Sequence, residues 1–389
     1  MRLAFVSIMR RSEWAACEEL WADAARQALT SGHEVFVSVY ERSENAPQIA
    51  ELRAAGAIIN VRSDNHWGNK SAIISRVQNT FGALKQFDAE AICVSQGGTY
   101  DITRSGAMHV LRTILKRNGT PYVLLCHCQQ AAPRSARRKR ARKVFGDAAV
   151  LGMLSKNLRS LSEQHLGTRL DNVRIFQNPL KLKSLNCLPW PRESTLRMAF
   201  VGRLEHVKGL DLLVDALAAP IWRERDWRLT ICGSGPDRRL LEERVNAAGL
   251  SNRIAFAGFV TDISDVWATH HVLVMSSRLE GIPIALTEAM LCGRPVVATN
   301  VGGIGEALQD GRSGFLIEHA AVADVTAALE RMWSNRSQLE SMGRFAFEST
   351  LAARDPNPGA TLVNWMAKSA QTQRCTRGGG QQLTEFPRG

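Results

Sequence analysis

No apolar run in this sequence approaches the roughly 20 residues that a helix needs to cross a bilayer. The N-terminal segment has too few consecutive apolar residues for a secretory signal peptide, so we interpret it as a first strand. With 45% hydrophobic and 22% charged residues, the composition is ordinary for a soluble globular protein. A cytoplasmic location is therefore expected.

A disulfide framework and a zinc site are also not indicated. The eight cysteines are scattered, and most lie in apolar segments expected to be strands, as around Cys93 and Cys232, which suits reduced core thiols. One cluster exists, Cys126-His127-Cys128. Alternate residues of a strand point to opposite faces of a sheet, which argues against shared coordination of zinc.

The net charge of +12 is concentrated in one basic run of ten residues without an acid. Its basic side chains are Arg134, Arg137, Arg138, Lys139, Arg140, Arg142 and Lys143. The run could be a solvated helix face, or a surface for anionic lipid headgroups or a phosphorylated acceptor. Aromatic residues are not interleaved and no nucleic-acid-binding motif is present, so nucleic acid is not expected as a partner.

Short apolar runs alternate with helical patterns along most of the chain, which predicts two doubly wound α/β halves. The first series of predicted strands is Leu3–Ser7, Val35–Val39, Ile58–Val61, Ala91–Ser95, Tyr122–Cys126, Ala149–Met153 and Val173–Phe176. The second is Met198–Val201, Leu229–Cys232, Ile254–Ala257, Val272–Met275, Val296–Ala298 and Phe315–Ile317. We expect a cleft where the carboxyl ends of the two sets of strands face each other.

A length of 389 residues allows two domains, each with its own core. We predict an N-terminal Rossmann-like domain on the acceptor side at 1–180, a linker with two prolines at 181–196 and a nucleotide-binding domain at 197–345. A helical segment at 346–368 is expected to pack back on the N-terminal domain. The glycine-rich end, 369–389, is predicted to be disordered.

The segment between Arg278 and Glu306 holds two acids, Glu280 and Glu288, on either side of a predicted helix start. Pro283 suits the first helical position and Gly293 a helix end after about Cys292. The N–H groups of a helix start favour a phosphate, and carboxylates beside it can accept hydrogen bonds from sugar hydroxyls. Taken alone, two acids at this spacing are more typical of solvated side chains on an ordinary helix.

Gly233-Ser234-Gly235 follows a predicted strand and opens a helix, as a dinucleotide-binding loop would. The third glycine of that fingerprint is replaced by Arg238, and Pro236 follows the second. These departures argue against a redox nucleotide cofactor.

Several motifs occur in a specific order: VGRLEHVKGLDLLVDAL, ICGSGPDRRLLEERV, RIAFAGFVTDISDVW, VMSSRLEGIPIALTEAMLCGRPVVATNVGGIGEAL and DGRSGFLI. Together they resemble family 4 of the glycosyltransferases, the retaining enzymes of GT-B architecture. The resemblance is dense over the second half and loose over the first. It implies two Rossmann-like domains that face each other across a cleft.

The resemblance also implies a donor site. Arg203 and Lys208 would hold the diphosphate of a nucleotide sugar, where they stabilise the charge that grows on the leaving group. Glu280 would contact the donor sugar and Glu288 the ribose hydroxyls. The remaining implied contacts are the backbone around Gly281 and Ile282 and a nucleobase loop formed by Gly258, Phe259 and Val260.

His127 follows the predicted strand YVLLC, where the family often has a histidine at the reaction centre. The alternative is a structural histidine in the core. An Asp-x-Asp pair is absent from the sequence, so no catalytic metal is implied and no cofactor is expected, the nucleotide sugar being a substrate.

One loop departs from the family pattern. Ala15, Ala16 and Cys17 stand where two glycines and a serine are usual, before Glu-Glu-Leu-Trp. Glycine permits positive φ and close approach of backbone to a phosphate, whereas alanine resists both. This weakens the expectation of donor-phosphate contact or acceptor access from the N-terminal side, and restoring glycine is expected to tighten donor binding.

The resulting prediction is a metal-independent retaining glycosyltransferase that moves a sugar from a nucleoside-diphosphate donor to an acceptor hydroxyl in glycan, polysaccharide or glycolipid biosynthesis. A front-face path, in which the departing phosphate helps deprotonate the acceptor, is implied by the resemblance. Two alternatives stay open: a GT-B scaffold that binds a nucleotide sugar or a partner without turnover, and a nucleotide-sugar epimerase. The basic run would place the protein at the inner face of an anionic membrane, against a glycan or lipid-linked acceptor.

Overall fold

The computed structural model describes residues 1–10, 13–63, 81–104, 107–117, 119–182 and 184–378. The chain folds into two compact α/β units, Met1–Pro179 together with Asp355–Gly389, and Leu180–Arg354. Each unit contains one parallel sheet. Within the described ranges, no helix is long and apolar enough to cross a membrane.

The first unit is built on a parallel sheet with the order β3-β2-β1-β4-β5-β6-β7. Its strands are β1 Arg2–Ser7, β2 Glu34–Tyr40, β3 Ile58–Arg62, β4 Ala91–Gln96, β5 Tyr122–Cys126, β6 Val150–Met153 and β7 Val173–Ile175. Its helices are α1 Ala16–Thr30, α2 Pro47–Ala54, α3 Gly82–Phe87, α4 Ala107–Arg117, α5 Ser135–Gly146, α6 Lys156–Leu166 and α15 Pro358–Gly378. All seven strands predicted for this half are present, with small shifts at their ends.

The second unit has the sheet order β10-β9-β8-β11-β12-β13, again parallel. Its strands are β8 Leu196–Val201, β9 Trp227–Cys232, β10 Ile254–Gly258, β11 Val272–Met275, β12 Val296–Thr299 and β13 Gly314–Ile317. Its helices are α7 Leu210–Leu217, α8 Pro220–Arg223, α9 Arg238–Ala247, α10 Ile263–Thr269, α11 Ile284–Leu291, α12 Ile304–Ala307, α13 Val322–Ser334 and α14 Leu339–Ala353. The six strands predicted here are also confirmed.

Both faces of the second sheet are covered. Met198 and Phe200 belong to one buried apolar cluster, whereas Ala199 between them belongs to another. The same alternation separates Val274 from Met275 on β11. Strands buried on both faces need continuous apolar runs, which is why the sequence pattern located them so closely.

The last helix packs on the first unit. On α15, Leu362, Met366 and Ala370 are buried, which is the spacing of one helical face. At Gly359 an added Cβ would lie 2.2 Å from a carboxylate oxygen of Asp23 and 3.0 Å from the backbone nitrogen of Ala24 on α1, so a larger residue here would require the Asp23 side chain to move. The predicted start of the disordered tail, residue 369, is therefore too early, because the helix continues to Gly378. Residues 379–389 lie outside the described residues.

The predicted helical segment 346–368 is divided between two helices, since α14 ends at Ala353 in the second unit and α15 begins at Pro358. The predicted linker 181–196 is also not a free connection. Arg294, fully buried, donates to the carbonyl oxygens of Leu188 and Pro189 and thereby holds the segment against the second unit.

Candidate active site

The strand order of the second sheet reverses between β8 and β11, the neighbours in its middle. Open parallel sheets bind ligands beyond the carboxyl ends of their strands at such a reversal. The loop after β8 carries Arg203 and Lys208, and the loop after β11 carries Glu280. The predicted donor residues thus follow the two strands that flank the reversal.

Backbone contacts hold these two loops together. A 3-10 turn at His206–Lys208 ends at Gly209, whose φ is +66°. An added Cβ at Gly209 would lie 2.0 Å from the carbonyl oxygen of Ser276 at the end of β11. The Ser276 hydroxyl donates to the carbonyl of Gly209 at 2.7 Å. Glycine is therefore required for Lys208 to reach the loop after β11.

Lys208 and Glu280 form the central ion pair. Lys208 Nζ lies 2.7 Å and 2.9 Å from the two carboxylate oxygens of Glu280, and the Ser277 hydroxyl donates to the same carboxylate at 2.8 Å. The side chains are 20% and 8% exposed. Partial burial strengthens the attraction relative to water, so the pair orients both charged groups at the carboxyl edge of the sheet.

Arg203 is placed differently. Its guanidinium lies 2.5 Å from Glu205, and its side chain remains 49% exposed. The sequence motif predicts Arg203 as a site residue but gives no sign that Glu205 is its partner. The cation therefore extends from the loop after β8 into solvent, where a phosphate could compete with Glu205 for it.

A second ion pair, missed by sequence analysis, supports the loop after β11. Arg278 binds both carboxylate oxygens of Asp211 at 2.8 Å and 2.7 Å and also donates to the carbonyl of His206. The hydrogen bonds from Arg278 hold the pKa of Asp211 below its usual value. Asp211 lies in the first turn of α7, directly after the loop that carries Lys208, and Arg278 lies on the loop that carries Glu280. The ion pair therefore holds these two loops together.

Glu288 lies on α11, buried to 6% exposure. Burial raises its pKa to about 7, and a hydrogen bond from the backbone of Lys181 opposes that shift. The helix begins after Pro283 and ends before Gly293, which has φ of +73°. The predicted helix and its glycine terminus are present, with Pro283 just before the first helical residue.

The loop after β12 completes this edge of the sheet. Gly303 donates from its backbone to the carbonyl of Gly281 at 2.7 Å. A Cβ at Gly302 would lie 2.4 Å from the carbonyl oxygen of Glu280, so glycine permits the approach. The segment containing Gly281 and Ile282 is thereby fixed by backbone contacts, beside the carboxylate of Glu280.

The predicted nucleobase loop follows β10. Gly258 has φ of +74° and accepts a hydrogen bond from the backbone of Gly233 at 2.6 Å. Phe259 is 79% exposed, whereas Val260 packs on the apolar cluster below. An exposed phenylalanine at the carboxyl edge provides a stacking face for an aromatic ring.

The glycines of the loop after β9 have a structural explanation. A Cβ at Gly233 would lie 1.9 Å from the carbonyl oxygen of Gly202, and one at Gly235 would lie 2.3 Å from that of Leu204. Both glycines therefore let this loop pack on the loop after β8. A role in binding a dinucleotide is not needed to account for them.

In the first unit, His127 directly follows β5 and is 5% exposed. Its Nε2 lies 3.3 Å from the Ser95 hydroxyl, and its ring contacts Phe176 edge-on with centroids 4.9 Å apart. Burial lowers the pKa of His127 to about 3, because desolvation disfavours the charged ring. The buried Nδ1 has no hydrogen-bond partner.

The loop at Ala15-Ala16-Cys17, which differs from the family pattern, holds alanine in unstrained backbone conformations. Ala15 caps α1 with φ of −142°, which any residue adopts, and Ala16 is the first helical residue. Neither Ala15 nor Ala16 therefore occupies a conformation that requires glycine.

The same helix contains an acid whose environment sequence analysis missed. Glu18 is fully buried and accepts hydrogen bonds from the Ser7 hydroxyl at 3.0 Å and the Trp21 indole at 3.0 Å. Burial raises its pKa to about 7.

The basic run forms α5, and much of its charge is engaged with the protein. Three guanidiniums donate to backbone carbonyl oxygens: those of Arg137, Arg140 and Arg142. Lys143 pairs with Asp147 at 3.2 Å. Three basic side chains are exposed without such an ion pair or carbonyl contact: those of Arg134, Arg138 and Lys139. The apolar residues of α5, Ala141, Val144 and Phe145, are buried.

Among the residues that the structure describes, no three histidine, cysteine, aspartate or glutamate side chains are grouped so as to hold a metal ion.

Comparison with known proteins finds relatives, mainly of the second unit. Residues 195–335 match the family model described as glycosyl transferases group 1. A D-inositol 3-phosphate glycosyltransferase from Paenarthrobacter aurescens is 29% identical over 256 residues, which cover 61% of each chain. A lipopolysaccharide core biosynthesis mannosyltransferase from Rhizobium meliloti is 38% identical over 137 residues, or 33% of this chain and 39% of that protein. The matches thus span less than two thirds of these relatives' lengths.

Solved structures resemble the whole fold. HepE from Anabaena in complex with UDP superposes with a TM-score of 0.72 at 17% identity, covering 96% of this chain and 100% of that one. The lipopolysaccharide outer core galactosyltransferase WaaB superposes with a TM-score of 0.67 at 17% identity, covering 97% and 100%. Residues 195–335 are therefore similar to the glycosyl transferases group 1 family, and the two Rossmann-like units of the chain have the GT-B fold.

Proposed function

We propose that the protein transfers a sugar, with retention of anomeric configuration, from a nucleoside-diphosphate sugar to an acceptor hydroxyl. The observation that carries this proposal is the Lys208–Glu280 pair at the strand-order reversal, with Arg203 on the same loop. A cation paired with the Glu280 carboxylate, and a second cation on the same loop, suit a ligand that has both a diphosphate and sugar hydroxyls. Glu288 would receive hydrogen bonds from the ribose hydroxyls.

In the proposed reaction the bond between the anomeric carbon and the diphosphate oxygen breaks. A bond from the acceptor oxygen to the same carbon forms on the same face, and the acceptor proton passes to the departing phosphate. Lys208 and Arg203 stabilise the charge on that phosphate, which is larger in the transition state than in bound donor. The released product is the nucleoside diphosphate, and no metal takes part in this scheme.

The test begins with donor choice. The motifs do not separate UDP-sugars from GDP-mannose, and HepE has been solved with UDP-glucose, so both nucleotides belong in a thermal-shift screen. A ligand that binds only the folded state raises the melting temperature in proportion to its saturation. The preferred labelled donor is then incubated with candidate acceptor glycans, with and without a metal chelator.

The products decide among three functions. Free nucleoside diphosphate with a glycosylated product of retained configuration, unaffected by chelator, supports the proposal. Binding without turnover would support the scaffold alternative, and an epimerised nucleotide sugar would support an epimerase. Inverted configuration in the product would refute retention while leaving glycosyl transfer in place.

The proposed cellular setting is the cytoplasm, in peripheral contact with the inner face of an anionic membrane and with a glycan or lipid-linked acceptor. Because the apolar residues of α5 point into the core, this contact would be electrostatic and would not insert the helix. It would use three exposed cations, Arg134, Arg138 and Lys139.

Sedimentation with anionic vesicles tests the contact. Each cation near such a surface contributes about 1 kcal/mol, so replacing all three by alanine should weaken binding by roughly 3 kcal/mol. A control variant removes three other exposed cations of the same unit, Arg53, Lys85 and Lys116. Equal loss in both variants, or binding insensitive to salt, would reject α5 as the contact surface.

A further inference from the structure

Two residues that precede β8, Lys181 and Leu188, contact α11 one helical turn apart. The backbone N–H of Lys181 donates to the carboxylate of Glu288. The backbone N–H of Leu188 donates to the carbonyl of Cys292 at 3.2 Å, and Cys292 donates in turn to the carbonyl of Glu288 at 3.0 Å. All four residues belong to the second unit. The chain that enters this unit therefore touches the helix at the acid predicted to bind ribose.

Packing fixes the backbone of Lys181 beside this acid. Leu182, the next residue, packs on the buried apolar cluster beneath α11. At the end of the helix Gly293 has φ of +73°, and its lack of a Cβ leaves room for the thiol of Cys187. The side chain of Lys181 itself is exposed. The backbone contact thus does not depend on that side chain, which can be changed without removing the N–H.

The charge of Lys181 also acts on Glu288. Burial raises the pKa of Glu288, and the backbone N–H and the positive charge of Lys181 both lower it. Surrounding elements carry other charged or titratable groups: Cys187, Asp262, Cys292, Arg294, Glu340 and Arg344. Of the charges in the part of the chain that the structure describes, that of Lys181 is the one that lowers the pKa of Glu288.

We propose that Lys181 is a positioning residue that keeps the Glu288 carboxylate ionised and oriented, so that the carboxylate accepts hydrogen bonds from the ribose hydroxyls of the donor. This inference rests on the function proposed above, which assigns the ribose contact to Glu288. An ionised carboxylate has about four acceptor sites, so one N–H from Lys181 leaves sites for two hydroxyls. A protonated carboxyl would lose part of that capacity.

The ionisation of Glu288 can be measured without any ligand. In protein labelled with ¹³C at the glutamate carboxyls, the signal of Glu288 is identified by its loss in Glu288→Gln and is followed against pH. Lys181→Met removes the charge and keeps the backbone N–H. Because the lysine is exposed, we expect the midpoint to rise by about half a pH unit, and by less at high salt. An unchanged midpoint in a folded Lys181→Met variant would overturn the proposal.

Two matched variants separate the local charge from the net charge of the unit. Lys181→Arg retains the cation and should keep the midpoint of the unmodified protein. Arg239→Met removes an exposed cation of α9 that pairs with Glu243, and it should also leave the midpoint unchanged. A rise in Arg239→Met as large as that in Lys181→Met would show a general charge effect and would remove Lys181 from this role.

The ligand part is tested by titration calorimetry with UDP and GDP. Comparison of variant and unmodified protein at the same pH cancels the ionisation of the diphosphate itself. We expect Lys181→Met to bind the preferred nucleotide about threefold more weakly at pH 6, about twofold at pH 7 and almost equally at pH 8.5. An equal loss at all three pH values would contradict an action through ionisation.

A double variant decides whether Lys181 acts through Glu288. In the Glu288→Gln background, Lys181→Met should cause no further loss of nucleotide affinity, because the group that it keeps ionised is gone. An equal loss in both backgrounds would assign Lys181 a direct contact with the nucleotide and refute the positioning role. Failure of every form to bind UDP or GDP would refute the proposed function, whereas the carboxyl titration would still decide whether Lys181 controls Glu288.

Discussion

Glu18→Gln should stabilise the first unit at alkaline pH and have little effect at acidic pH. The carboxyl group is fully buried, and burial raises its pKa from an ordinary 4.5 to about 7. Below about pH 4.5 the carboxyl is protonated in both the folded and the unfolded protein. The stabilising contribution of the protonated, buried group is then fully present. As pH rises through 7 that contribution is lost, because the folded protein must hold a buried carboxylate.

The size of the effect follows from that shift. One pH unit of pKa difference corresponds to about 1.4 kcal/mol. With a pKa of 4.5 in the unfolded chain and about 7 in the folded protein, the linkage relation gives a free energy of unfolding that is about 2.5 kcal/mol lower at pH 8 than at pH 5. Glutamine retains the shape, and its amide oxygen can accept from Trp21 while its NH₂ donates to Ser7. The variant should therefore gain roughly that amount relative to the unmodified protein as pH is raised.

Hydrogen exchange of peptides from β1 and α1 suits this measurement, because a chain with two units need not unfold in one step. Comparing variant and unmodified protein at the same pH cancels the intrinsic pH dependence of exchange. Glu51→Gln, which changes an exposed acid on α2, is the control and should give no pH-dependent gain. Equal protection changes at pH 5 and pH 8, or destabilisation at pH 8, would refute the idea that this buried charge is costly.

Three further predictions concern the site. Lys208→Met should lower activity at least about tenfold, or about 1.4 kcal/mol of transition-state stabilisation, whereas the exposed control Lys143→Met should not; unchanged kinetics would reject the donor-site assignment. Glu288 ionises near pH 7, so donor affinity should rise through that pH and become flat and weaker in Glu288→Gln, as titration calorimetry would show. Replacing residues 15–17 by Gly-Gly-Ser should lower the melting temperature without improving donor affinity, since Ala16 is helical; tighter binding would contradict this.

The secondary structure could be predicted from the sequence, and so could the positions of Lys208 and Glu280 on the loops after β8 and β11, but the partners of these side chains could not. Strands such as Tyr122–Cys126 are continuous apolar runs, which only a doubly covered sheet accommodates. The pairing of Lys208 with Glu280 depends on two loops that meet because Gly209 lacks a side chain. That contact joins residues far apart in the chain, and no local pattern records it.

Two other differences have similar causes. The residues after 369 are mostly polar, so their helical state depends on contacts with the first unit: Ala370 is buried, Gln373 donates to the carbonyl of Gly119, and Arg374 pairs with Glu90. In α5 the sequence gives the number of basic side chains but not their partners. Arg137, Arg140 and Arg142 donate to backbone carbonyl oxygens. Fewer cations are therefore exposed on α5 than its seven basic residues suggest.

The position of α15 has a consequence for synthesis on the ribosome. The first unit emerges first but lacks its final helix until all of Leu180–Arg354 has been translated. At roughly 5–20 residues per second, the nascent chain would wait on the order of 10–35 seconds with the α15-facing side of α1 uncovered. Vectorial folding would therefore complete the second unit before the first. Chaperones that bind exposed apolar surfaces would have access to this side of α1 during that interval.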